Sequence, residues 1–137
     1  MAGVDPLGFL LAYLSENVTG TALEGVAIRG GDLQPGDEPP VVLLEEAGSL
    51  HDRSLPWQAA RIQVRAFGPL GPAGPRIASE LYRAASGIVH GVGPLQRDGT
   101  AVGRMFEEQG PQPAEDPDTR WPEVFGIIDM EMADRTI

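Results

Sequence analysis

Apolar residues recur at helical spacing in two stretches of the chain and at strand spacing in others. Leu7, Leu10, Leu11 and Leu14 share one face of a segment opened by Asp5 as N-cap and Pro6 at the first helical position, which predicts a helix over about 6–16. A broader stripe runs from Arg76 to His90: Ile77, Leu81, Ala84 and Ile88, widened by Ala78, Tyr82, Ala85 and Val89, with Glu80, Arg83 and Ser86 outward. A stripe that wide lies on a sheet, the alanines permit close approach, and Gly91 suits the C-terminal cap.

Between and after these helices the period changes. A short strand is expected within 22–30, and a second over 41–47, "VVLLEEA", buried on both faces at its start. In "QAARIQVRAFG" Ile62, Val64 and Ala66 point one way, while Arg61, Gln63, Arg65 and Phe67 point the other, giving a half-buried strand with a cationic outer face. "AVGRMFEEQ" places Ala101 and Met105 on one side, with Val102, Arg104 and Phe106 opposite. After Pro122, Val124, Gly126, Ile128, Met130 and Met132 oppose Phe125, Ile127, Asp129 and Glu131. The expected fold class is α+β in the order α-β-β-β-α-β-β: one domain over 1–137, with about five mostly antiparallel strands covered on one face by both helices. Phe67, Phe125 and Ile127 then lie among charges on the other face, so a partner is expected to cover part of it.

Length and composition narrow the class. The 137 residues suffice for one core without staples. The absence of cysteine removes disulfides, thiolate nucleophiles and cysteine-based zinc sites. Leu7–Leu14 lacks a basic flank and is interrupted by Gly8, so neither a signal peptide nor a membrane span is expected. A formal charge of −10 repels phosphate and argues against a surface that grips nucleic acid. Every basic residue is arginine, a pattern that fits either a GC-rich coding genome or bidentate contacts to carboxylates between chains.

Candidate chemistry is sparse. His51 beside Asp52 has no accompanying nucleophile motif, and His90 at a helix end suits the helix dipole. The acidic pairs Asp37/Glu38, Glu45/Glu46 and Glu107/Glu108, and the run Glu115, Asp116, Asp118, lack the ligand spacing of a calcium loop; no metal or cofactor is expected. Adjacent carboxylates in a strand point to opposite faces, so the two glutamate pairs read as solvated strand ends. The glycines of "RGGD" and "GVGP" do not form a phosphate-cradling loop, and no enzymatic activity is expected. What remains are two loops of like composition, Asp52 and Arg53 leading to Trp57, and Asp118 and Arg120 leading to Trp121. Arginine and tryptophan are common interface anchors, although both tryptophans folding inward is an equal alternative. With Arg61, Arg65, Phe67 and Phe125 these residues make up the expected protein interface.

The N-terminal helix, "ARIQVRAFG", "ASELYRAASGIVHG" and "DPDTRWPEVFGIIDMEM" together resemble the tail terminator proteins of long-tailed bacteriophages, the minor tail or tail-completion proteins, over roughly residues 50–137. The "DLQPGDEPP" loop has no place in that pattern. The resemblance implies a structural virion protein at the head-proximal end of the tail, assembled in the host cytoplasm. It would form a homo-hexameric ring on the tail tube protein that stops tube polymerisation. The ring would offer a docking surface for head-to-tail joining by a head-completion or connector protein, with the tape measure protein a further possible contact. Six copies at −10 each would carry about −60, and an acidic lumen would let genome DNA pass without binding. The loops at 31–40, 48–57 and 110–121 are then expected to order on assembly. Two alternatives are another neck protein, such as a head-closure or tail-to-head joining subunit, and a small acidic hydrolase or binding protein with a deep polar pocket.

Overall fold

The computed structural model describes residues 5–51, 58–97 and 100–134. Its elements are α1 (Pro6–Glu16), β1 (Ala27–Gly30), β2 (Val41–His51), β3 (Gln58–Phe67), α2 (Gly74–Val89), β4 (Leu95–Arg97), β5 (Thr100–Glu115) and β6 (Pro122–Asp134). The fold is α+β: a six-stranded sheet of order β1-β2-β3-β6-β5-β4, parallel only between β1 and β2, with both helices on one face. The sixth strand beyond the expected five is β4, three residues paired with the start of β5.

Local signals explain most boundaries. The Asp5 carboxylate accepts from the Gly8 amide at 3.0 Å, so α1 begins where its cap and proline place it. α2 starts two residues before the expected Arg76, because Pro75 occupies the first turn, where its missing N–H costs nothing. Its buried line is Ala78, Leu81, Tyr82, Ala85 and Val89, with Ile77, Ala84 and Ile88 on the flanks, so the small residues rather than the isoleucines lie closest to the sheet. They pack with Leu10 and Leu14 of α1 against Ile62 and Val64 of β3 and Ile128, Met130 and Met132 of β6.

β5 departs from simple alternation. Val102 and Met105, three apart and expected on opposite faces, both lie in the helix-side core, because a bulge between Val102 and Arg104 shifts the phase. Further irregularities between Glu107 and Gln112 carry the strand through Gly110, Pro111 and Pro113, residues expected to form a loop. Prolines are tolerated there because this part of β5 forms the sheet's outer margin.

The two lateral margins matter below. β1 covers β2 only as far as Leu44, so from Glu45 onward β2 is itself an edge among the described residues. On the other side β4 covers Thr100–Val102, and Val92 bridges Met105, leaving the outer side of β5 open beyond Glu107.

Candidate interaction surfaces

The segment Glu115–Trp121 closes the β5–β6 hairpin as a compact turn. The Asp116 carboxylate accepts from the Asp118 amide (3.2 Å), the Thr119 amide (2.8 Å) and the Thr119 hydroxyl (2.9 Å), while the Arg120 amide donates to the Asp116 carbonyl (2.9 Å). These bonds, the Thr119 amide foremost, hold the Asp116 carboxyl below the usual aspartate range. Arg120 sits at φ 67°, a left-handed conformation uncommon for a side-chain-bearing residue, and its guanidinium reaches Glu115 at 2.6 Å. Trp121 meets Phe67 edge-on, with ring centroids 6.5 Å apart, and together with Leu33 covers Val41, Leu43 and Phe67.

That small second core changes two expectations. Phe67 is fully buried by its own chain, so it is not an interface residue, and no partner is needed to cover it. The 110–121 segment is half strand and half hydrogen-bonded turn, which is at odds with ordering on assembly. The 31–40 loop is likewise pinned: Arg29 pairs with Asp37, the Gln34 amide donates to Asp37 at 2.6 Å, and Arg65 reaches Asp32 at 2.9 Å. Asp52, Arg53 and Trp57, with most of the third loop, lie outside the described residues.

On the helix-free face Arg61 and Arg65 point outward as expected, but the surface is not cationic. Arg61 lies between Glu108 of β5 and Asp129 of β6, with its Nε 2.8 Å and 3.4 Å from them. Arg104 reaches Glu131 at 3.1 Å and lies 4.8 Å from the Phe106 ring centroid. Arg65 is held by Glu123 at 2.8 Å and by Asp32, beside Asp116 at 4.0 Å. Among the described residues every arginine on this face answers a carboxylate, and Phe125 and Ile127 lie half-buried between them. Arg61 lowers the Glu108 carboxyl, whereas burial and the adjacent Glu108 raise that of Asp129. A shallow groove of about 550 Å³ bordered by Arg61, Arg104, Phe106 and Asp129 follows this ladder; no group of three or more metal-binding side chains occurs among the described residues.

A third cluster was missed from the sequence. Tyr82 and Ser86 of α2 and its C-cap His90 stand at i, i+4 and i+8, and all three bond Glu107: the two hydroxyls each donate to its Oε2 at 2.7 Å, and its amide donates to His90 Nδ1 at 3.0 Å. Burial and the neighbouring carboxylate push the Tyr82 phenol well above its ordinary value. Gly126 makes room for this tyrosine, since a Cβ there would stand 1.9 Å from its hydroxyl. Thus Ser86 turns toward β5 rather than solvent, His90 docks a strand beyond ending its helix, and Glu107 is no solvated strand end. Glu107 and Glu108 do face opposite sides as expected, while Glu45 and Glu46 are exposed but lie mid-strand. The polar i, i+4, i+8 spacing was the available signal. The result is a cleft of about 380 Å³ between α2 and β5, rimmed by Arg83 and Gly87.

The last surface lies beside the hairpin turn. Leu70 is 65% exposed, the one large hydrophobic so placed among the described residues. It borders a depression of about 310 Å³ formed with Pro75, Pro122 and Arg120. The Gly68 amide donates to the Pro122 carbonyl at 2.9 Å and ties this loop to the turn, so Leu70 and Arg120 are presented on one fixed end of the molecule.

No protein-family model matches the sequence, and no curated protein matches it closely.

Proposed function

We propose that the protein is a structural, non-catalytic virion subunit that caps the tail tube of a long-tailed phage as a hexameric ring. The ring ends tube polymerisation, receives the head-completion or connector protein, and lets DNA pass through an acidic lumen. The observation that carries this reading is the end bearing Leu70 and Arg120. An exposed leucine beside an arginine held in a strained turn, both fixed in a proline-rich frame, is a surface that loses little conformational freedom on meeting a partner. The resemblance to tail terminators and the charge of −10 support the same assignment.

One feature favours a second reading, a small hydrolase or binding protein: the cleft holding Ser86, His90 and Glu107. Ser86, however, gives its hydrogen bond to the glutamate rather than to the histidine, so the nucleophile-to-base contact of a serine hydrolase is absent.

The test is capping of tubes polymerised from purified tail tube protein, viewed by negative stain. Wild-type protein should give tubes of arrested growth with a ring at one end. Leu70→Ser and Arg120→Glu should stay folded by circular dichroism yet lose most capping. Tubes that elongate unchanged in the presence of wild-type protein would sink the proposal, and retention on heads rather than tails after separation would reassign it to head closure.

A further inference from the structure

A ring needs two unlike patches on one subunit, each meeting the other on the next copy. The arginines of the open sheet face cannot supply the cationic patch, because they are already neutralised within the chain. Among arginines whose side chains are described, Arg29, Arg61, Arg65, Arg76, Arg104 and Arg120 each hold a carboxylate; Arg83 holds none. It rims the α2–β5 cleft beside Gly87 and His90. Because His90 Nδ1 accepts from the Glu107 amide, its Nε2 is left as the ring's donor at the same place.

The matching carboxylate lies on the opposite margin of the sheet. Glu46 is exposed and holds no cation among the described residues. Glu46 stands opposite Ile62, Ile62 opposite Ile128, and Ile128 opposite Glu107, so Glu46 and the cleft share one cross-strand row on the helix side of the sheet. A displacement across the strands therefore brings the Glu46 corner of one copy level with the Arg83 cleft of another. Neither margin suits strand addition: β2 is bulged after Glu46, and β5 carries successive irregularities and two prolines. Contact through side chains is what these edges permit.

We infer that, in the ring proposed above, Arg83 and His90 of one copy receive Glu46 of its neighbour. This rests on the ring assignment and adds the surfaces that close it. Subunits of charge −10 repel one another at long range, so a local match of opposite charge fixes which surfaces meet.

The cysteine-free chain makes the test direct. Glu46→Cys and Gly87→Cys in one chain place one thiol in the Glu46 row and the other beside Arg83; Glu46 is exposed, and a Cβ at Gly87 meets open space. On oxidation of rings assembled on tubes, a non-reducing gel should show covalent multimers that each single-cysteine variant lacks. Arg83→Glu and Glu46→Arg should each reduce ring recovery by about tenfold or more, and an equimolar mixture should restore it. In an even-membered ring the two variants can alternate, each reversed side chain facing the other and each native pair kept. Double-cysteine rings that give no cross-link, or single reversals that assemble like wild type, would overturn this interface and leave the ring standing. Failure of the wild type to form rings would remove the ring itself.

Discussion

Arg61 and Arg65 lie four residues apart on one strand, point to the same face, and are each held by carboxylates from other elements. Their surroundings differ. The Arg65 side chain is 16% exposed, its partners Glu123 and Asp116 are 8% and 10% exposed, and Phe67 lies 5.0 Å beneath its guanidinium. The Arg61 side chain is 49% exposed and bridges two strands across an open groove. Arg65 ties the 31–40 loop, the hairpin turn and β6 into one unit, whereas Arg61 decorates a surface that water reaches. The same residue types on the same strand thus perform different work, and what separates them is that Arg65 lies over Phe67, at the small core that Leu33 and Trp121 cover, whereas Arg61 borders an open groove.

The largest expected effect comes from removing the buried member. Arg65→Ala leaves Glu123 as a buried charge without its cation and frees Asp32 from the sheet, a loss of about 3 kcal/mol in stability. Urea denaturation at neutral pH would measure it, and a midpoint close to wild type would show that water replaces the guanidinium, abolishing the contrast with Arg61.

Acid should expose the same node next. The Asp32 carboxyl is lowered first by the Leu33 amide and then by Arg65, and the Asp116 carboxyl by Thr119. A carboxylate lowered in the folded state stabilises fully above its unfolded value near 4, and that contribution is lost as pH falls through the folded value. Asp129, raised by burial and by Glu108, works in the opposite sense and offsets part of the slope. Net stability should fall as pH drops below about 4. In Arg65→Ala the slope should be shallower but not flat, because the backbone amides remain; urea midpoints across pH 2–6 would reveal an unchanged slope if Arg65 had no part in it.

The α+β class, both helices and the buried face of β6 were legible because each rests on local periodicity and caps, such as Asp5 with Pro6 and the run Ile128, Met130, Met132. What escaped depends on register. The bulge before Arg104 sends Val102 and Met105 to one side, and no pattern of apolar residues marks a bulge in advance. The Glu107 cluster was hidden for a related reason: its carboxylate meets α2 only after the chain has crossed β4, and Tyr82 counted as apolar until its hydroxyl had a partner. Phe67 looked like an interface residue because its lid, Leu33 and Trp121, comes from two distant segments. Of the expected anchors, Asp118 and Arg120 are exposed, Trp121 and Phe125 half-buried, and Arg61 and Arg65 neutralised by their own chain.

The smallest effect is expected at Arg61, and it gives the sharpest form of the contrast. An exposed pair exchanges its partner for water at little cost, so Arg61→Ala should move the urea midpoint by only a small fraction of the Arg65→Ala shift. Its size depends on pH. Without the guanidinium, Glu108 and Asp129 repel each other with no cation between them, and Asp129, already raised by burial and by Glu108, loses stability as pH climbs above about 4, so the variant should match wild type near pH 3 and fall slightly below it at pH 7. Salt separates the two arginines further. At 1 M ionic strength the screening length is about 3 Å, which should remove the remaining Arg61 deficit while leaving that of Arg65 largely intact, because its partners are shielded from solvent. Equal salt dependence in the two variants would mean that water reaches Arg65 and its partners as freely as it reaches the groove beside Arg61.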